Sequence, residues 1–194
     1  MAQQKMMASE AERDSIEKAF PLLQKIADER IRQGVTDVWA TLWRESGYRS
    51  LDEAPNQDGC DEDTLVRHTN AVTSAALAVA EQLAEEYGIQ VNRDILLAAS
   101  ILHDVDKLVL YEKRDGCVQL SAMGKVIPHG SYGGHAALDA GLPLDIANTI
   151  ITHSRDCGWQ PATIEGIIIN YCDLAKFFAV RMALGKQPAK GQSL

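Results

Sequence analysis

The segment ILHDVDK sets His103 and Asp104 side by side near the end of an apolar run that includes Leu96, Leu97, Ile101 and Leu102. A carboxylate and an imidazole in such surroundings cost free energy unless something compensates them. A bound cation is one compensation, because carboxylate oxygen and neutral imidazole nitrogen are both good ligands for divalent metals. A surface or helix-end pair is the other reading of the dipeptide taken alone. Lys107 stands one helical turn after His103 and on the same face. An ammonium there could hold a phosphate oxygen, or another anion, beside the metal.

The same tension recurs elsewhere. His68 lies 35 residues before His103, on a helix face shared with Thr69, Asn70 and Ala71 rather than on a plain apolar stripe. Asp173 sits among Ile167, Ile168, Leu174 and Phe177 and needs a partner, either a lysine such as Lys176 or a cation. His129 opens HGSYGG and His153 closes the apolar run DIANTIITHS. His135 follows His129 by six residues. It is open to three roles: an added ligand, a general acid, or a helix-face partner of Asp139 one turn on.

The elements that must position these residues read as helices joined by loops. Apolar residues recur at helical spacing from about Ser9 to Gln33, with Pro21 dividing the run. A further helix is expected over VTDVWATLWRES, residues 35–46, and a loop over residues 46–61. A long helix is predicted from Asp63 to Tyr87, capped by Asp61 or Asp63 and closed by Gly88. Asn92 caps a helix expected to continue through RDILLAASILHDVDKLVLY. Residues 112–134 read as loop, followed by a short helix from about Gly134 to Ala140. A helix beginning at Pro143 and one from Thr163 to Gly185 complete the chain before a frayed tail. Trp39 and Trp43 read as core residues, with a lid or dimer face as the alternative.

Composition narrows the function. The 194 residues carry 27 acidic and 19 basic side chains, a net charge of −8, which disfavours binding to a nucleic acid duplex. No apolar run approaches the roughly 20 residues of a membrane helix, and the N-terminus lacks the apolar stretch of a signal peptide. Cys60, Cys117, Cys157 and Cys172 form no CxxC pair and read as free thiols in a reducing cytoplasm.

The order His68, His103-Asp104, Asp173, with ILHDVDK in the form apolar-apolar-HD-apolar-x-K, resembles the HD-domain superfamily of metal-dependent phosphohydrolases. The likeness covers about residues 62–184. It implies an all-α fold, an HD-domain helical bundle over residues 61–194, preceded by an N-terminal helical extension or lid over residues 1–60. It implies that His68, His103, Asp104 and Asp173 converge on one divalent metal. His129 and His153 extend the resemblance to members with two metals, in which Asp104 bridges to a second ion held with His129 and His153. The cofactor expected on this basis is a divalent metal, two ions, drawn from Fe, Mn, Mg, Co or Ni.

The resemblance implies hydrolysis of a nucleotide or other small phosphorylated substrate through a metal-bridging hydroxide. Asp104, Lys107 and His135 are the catalytic candidates, and Arg67, Lys125 or Arg155 could meet further phosphates. Compact bacterial HD hydrolases related to diadenosine tetraphosphate hydrolases are similar in these short motifs. A second chemistry uses the same ligands: mixed-valence diiron oxygenases, such as myo-inositol oxygenase and the phosphonate-cleaving enzymes, act on small polar substrates. In the latter a Tyr or Glu before the first histidine fills the open iron position, and Tyr48 and Glu62 precede His68 here. A regulatory module with reduced catalysis is the third reading, opposed by the complete ligand set. A homodimer is allowed by the sequence and not required by it.

Overall fold

Capping residues set most helix boundaries. Ser9 opens α1 (Glu10–Ala19) with a capping box, its hydroxyl accepting the Glu12 N–H while the Glu12 carboxylate accepts the Ser9 N–H. Pro21 then starts a single 3-10 turn, Pro21–Lys25. The computed structural model describes residues 7–57, 63–154 and 157–185. Asp61 and the tail after Gly185 fall outside the described residues.

Asp28 caps α2 (Glu29–Glu45), which runs through the position where sequence spacing suggested a break. Gly34 serves close packing there: a Cβ would lie 2.6 Å from Leu142 Cδ2. Thr64, not Asp63, caps α3 (Leu65–Tyr87), and Gly88 at φ 68° ends it in the left-handed conformation. Asn92 caps α4 (Arg93–Leu102). The expected continuation to Tyr111 is interrupted. Residues 103–106 form turns before the single-turn α5 (Lys107–Leu110), so the His-Asp pair occupies a bend and not a helix interior.

The segment expected to be loop contains a hairpin. β1 (Tyr111–Arg114) pairs antiparallel with β2 (Cys117–Leu120), Tyr111 opposite Leu120. Asp115 and Gly116, at φ 52° and 81°, supply the two positive-φ residues of a tight hairpin turn. The chain continues as α6 (Ser131–Asp139), α7 (Leu144–Thr152) and α8 (Ile164–Ala183), the last capped by Thr163.

α4 is the central element. All its residues from Ile95 to Leu102 are buried, which fits a helix that is apolar nearly all round. It packs against α2, α3, α7 and α8. Ile16, Phe20, Leu23, Trp39 and Leu42 from the N-terminal helices belong to the same buried cluster. Trp39 fills the core: its ring lies 4.4 Å from Phe20, and its Nε1–H donates to the Ile101 carbonyl at 3.2 Å. That bond fixes the last turn of α4, immediately before His103. Trp43 is half-buried and donates to the Tyr48 carbonyl at 3.0 Å. No helix among the described residues is long and apolar enough to cross a membrane.

Candidate metal centre

Two histidines reach the centre by one local device. His103 ends α4 and His153 ends α7. Each places Nδ1 2.7 Å from the carbonyl three residues back, Ser100 for His103 and Ile150 for His153. A carbonyl only accepts, so Nδ1 carries the proton and Nε2 presents a lone pair. His129 is oriented by a carboxylate instead. Its Nδ1–H donates to Asp106 Oδ1 at 2.9 Å, while Asp106 Oδ2 accepts the Gly130 N–H at 2.7 Å and the Gly133 N–H at 3.3 Å. Gly130, at φ 82°, turns the chain tightly against α7, where a Cβ would lie 2.6 Å from the Ile150 carbonyl oxygen.

The free ends of these rings meet around Asp104. His68 Nε2 is 3.1 Å from His103 Nε2, 3.1 Å from Asp104 Oδ2 and 3.0 Å from Asp173 Oδ1. On the other side, His129 Nε2 and His153 Nε2 are 3.2 Å apart and lie 2.9 and 3.4 Å from Asp104 Oδ1. His68, His103, Asp104 and Asp173 thus offer four ligand atoms within 4.8 Å of one another, and Asp104, His129 and His153 offer three. Asp104 belongs to both groups, one oxygen turned to each.

The donor set fits a cation. Asp104 Oδ1 is buried without a hydrogen-bond partner, although His129 Nε2 lies 2.9 Å away. With a neutral His129 no hydrogen stands between them, and only a second proton or a metal ion can supply the positive charge. Burial opposes that proton, but the neighbouring Asp106 and Asp104 outweigh it and raise His129 to about 10. The proton there does what a cation would do. Burial also works against charge on Asp104, yet the Lys107 ammonium holds its carboxyl well below the usual range. Burial pushes His103 down, which keeps it neutral and able to ligate.

The HD domain model matches residues 67–175, which is 109 of the 194 residues. The chain belongs to the HD-domain family of metal-dependent phosphohydrolases. This HD protein is 30% identical over 171 residues to the dihydroneopterin 2',3'-cyclic phosphate phosphodiesterase of Methanocaldococcus jannaschii, an alignment covering 82% of this chain and 68% of the relative. No solved structure matches it significantly. As a member of this family it is a metal-dependent hydrolase of phosphoric esters, and membership implies binding of divalent metal.

The remaining candidates fall in different places around the HD centre. Lys107 donates to Asp104 Oδ2 at 2.7 Å and to Asn56 Oδ1 at 2.8 Å. His135 stays outside both groups: its side chain is 66% exposed, with Nε2 3.3 Å from Asp139 Oδ2 one turn on. Arg67 and Lys125 are exposed on the surface. Arg155 and Glu62 lie outside the described residues. The Tyr48 hydroxyl donates to the Tyr111 carbonyl at 3.1 Å, and burial raises it to about 12.

Sequence reasoning did not place five residues of the centre's surroundings. Asp106 had a readable signal, a second acid in an apolar stretch between Val105 and Leu108. Lys176, considered as a partner of Asp173, instead reaches Asp63, at 2.6 and 2.7 Å, and His68 Nδ1, at 2.7 Å. Asn56 and Asp63 are brought together by an antiparallel bridge between Pro55 and Thr64. Asn170 donates to the His153 carbonyl, tying α8 to the end of α7.

Proposed function

We propose that this HD protein hydrolyses a small phosphodiester, of the cyclic phosphate kind named for its relative, at a centre holding two divalent cations. His68, His103, Asp104 and Asp173 would hold one ion, and Asp104, His129 and His153 the other. The observation that carries the reading is Asp104, whose two buried oxygens face separate clusters of imidazole nitrogen. Two such cations, when bound, supply an activated water and neutralise charge developing on phosphoryl oxygens. A donor set of four histidines and two carboxylates favours metals that take imidazole readily, such as iron, cobalt or nickel, over magnesium, which prefers oxygen ligands.

The chain's own groups have distinct tasks. Asp104 divides its oxygens between the two positions and keeps its charge because burial is countered by the Lys107 ammonium. Lys107 spends two N–H groups on Asp104 and Asn56, leaving a third for a phosphoryl oxygen. Its side chain is 14% exposed, that of Asp173 17% and that of His129 26%, so substrate approaches past these three side chains. The free thiols of Cys117, Cys157 and Cys172 suit a reducing compartment.

The test combines metal analysis with turnover. Anaerobically purified protein should contain two divalent ions per chain and hydrolyse 2',3'-cyclic phosphates and bis(p-nitrophenyl) phosphate. His103→Ala and Asp104→Ala should abolish both metal retention and hydrolysis. Unchanged metal content in those variants would sink the site assignment, and substrate-dependent oxygen consumption without phosphodiester cleavage would replace hydrolysis with oxygenation.

A further inference from the structure

α3 and α8 lie side by side and run in opposite directions. His68, in the first turn of α3, meets Lys176 in the second half of α8. Glu165, in the first turn of α8, accepts the N–H of Asn92, just past the end of α3, at 2.7 Å. Their inner sides carry His68 and Asp173 to the centre. Their outer sides lack the charge that a water-exposed helix normally carries. α3 has no charged residue from Thr69 to Ala80, and between Glu165 and Lys176 α8 has only Asp173, which is turned to His68. The exposed positions are apolar instead. Ile164, Ile167, Tyr171, Ala175, Phe178 and Met182 recur along α8 at intervals of three and four residues, which places them on one stripe about 27 Å long. Ile167 is 48% exposed, Tyr171 64% and Met182 76%. Beside this stripe α3 exposes Ala71, Ala75, Ala78 and Val79. Their short side chains leave a groove between the helices, with Ile168 and Cys172 at its base. A continuous apolar face of this kind marks an interaction surface.

We propose that this face binds a second copy of the chain about a two-fold axis passing beside Ala75 and Tyr171. The charges at its two ends select that occupant. Glu85 and Glu86 of α3 and Glu165 of α8 stand at one end, Arg67 of α3 and Arg181 of α8 at the other. A two-fold axis across the middle lays the acidic end of each copy against the basic end of the other. Ala75 and Tyr171 both line the groove, midway between those ends. On the axis, the Tyr171 ring of each copy meets the shallow ground over Ala75 of the other, and a tyrosine in such a place supplies a large contact area. A surface of anionic lipid fits less well, because the three glutamates would face it. Successive residues turn 100° about a helix, so Asp173 leaves α8 on the side opposite the stripe. A second copy seated there braces from behind the helix that presents Asp173 to the centre.

The test is sedimentation velocity on the full chain at micromolar concentration, where the wild type should have the mass of two chains. Tyr171→Glu and, separately, Ala75→Glu set like charges against each other across the axis and should raise the dimer dissociation constant by about 100-fold or more. Far-UV circular dichroism should stay as in the wild type, since both positions are exposed. Should Tyr171→Glu fail to fold, Ala75→Glu decides the matter. Glu85→Lys combined with Glu86→Lys turns the acidic end basic and should weaken the dimer by about tenfold. A monomeric wild type, or a dimer that survives both glutamate substitutions, overturns the proposal. So does a charge-reversed variant that pairs as tightly as the wild type. A monomer that floats with vesicles of phosphatidylcholine and phosphatidylglycerol gives the face to a membrane instead. A chain that pairs only after removal of residues 186–194 shows that its own end covers the face, which also overturns the second copy as occupant.

Discussion

Asp106 Oδ1 accepts the Nδ1–H of His129 at 2.9 Å, so the carboxylate two positions after Asp104 decides which nitrogen of a histidine 23 residues away faces the centre. Asp106 has no exposure to solvent, and its other oxygen anchors the backbone at Gly130 and Gly133. Asp106→Asn keeps the shape and weakens the acceptor. Metal affinity at the cluster of Asp104, His129 and His153 should fall by about 10–100-fold, with one ion per chain retained. Elemental analysis after dialysis against a weak chelator measures this, and full retention of two ions would refute the orienting role.

The raised His129 gives a pH dependence with a definite sign. Its folded value, about 10, exceeds the ordinary 6.5. In chelator-treated protein this proton stabilises the fold fully below pH 6.5, and the contribution disappears as pH rises through about 10. A cation competes for the same position, so Mn²⁺ affinity at this cluster should rise about tenfold per pH unit between about 7 and 9. A flat Mn²⁺ titration across that range would show that no proton is displaced.

Trp39 joins the N-terminal helices to the centre through its bond to the Ile101 carbonyl. Trp39→Ala removes a fully buried ring and should cost about 3–5 kcal/mol in urea denaturation. It should also reduce metal retention, because the bond holds the turn of α4 that precedes His103. A loss under about 1 kcal/mol would mean that the core closes around the gap.

His135 contributes by contrast. Its pair with Asp139 is largely exposed, and exposed pairs are worth about 0–1 kcal/mol. His135→Ala should leave phosphodiester turnover within about twofold of wild type and change stability by less than about 1 kcal/mol. A much larger loss of turnover would restore a general-acid role.

The ligand candidates were legible because ionisable side chains at apolar positions are expensive, and His103, Asp104 and Asp173 all occupy such positions. Helix ends were legible where a capping residue stood alone, as at Asn92, Thr163 and Gly88. Periodicity carried the α4 reading too far, because Leu108 and Leu110 continue the apolar pattern beyond the bend at residues 103–106. The hairpin was missed although Asp115-Gly116 signals a tight turn; its strands are four residues each and too short for alternation to stand out. Asp63 and Lys176 meet across 113 residues. No local spacing marks such a pair, and only the packing of α8 beside α3 brings it together.

His103 and His153 cap the C-terminal ends of α4 and α7, so two helices direct their negative poles, each equivalent to about half a charge, at one small volume. Asp104 and Asp173 add two formal charges. Before any metal enters, Lys107 and the proton on His129 balance those charges, so the helix poles leave the centre more favourable to a cation than to a phosphate group. Assembly therefore has a direction, with metal ions first and the anionic substrate second, and free phosphate should bind only to protein already loaded with metal.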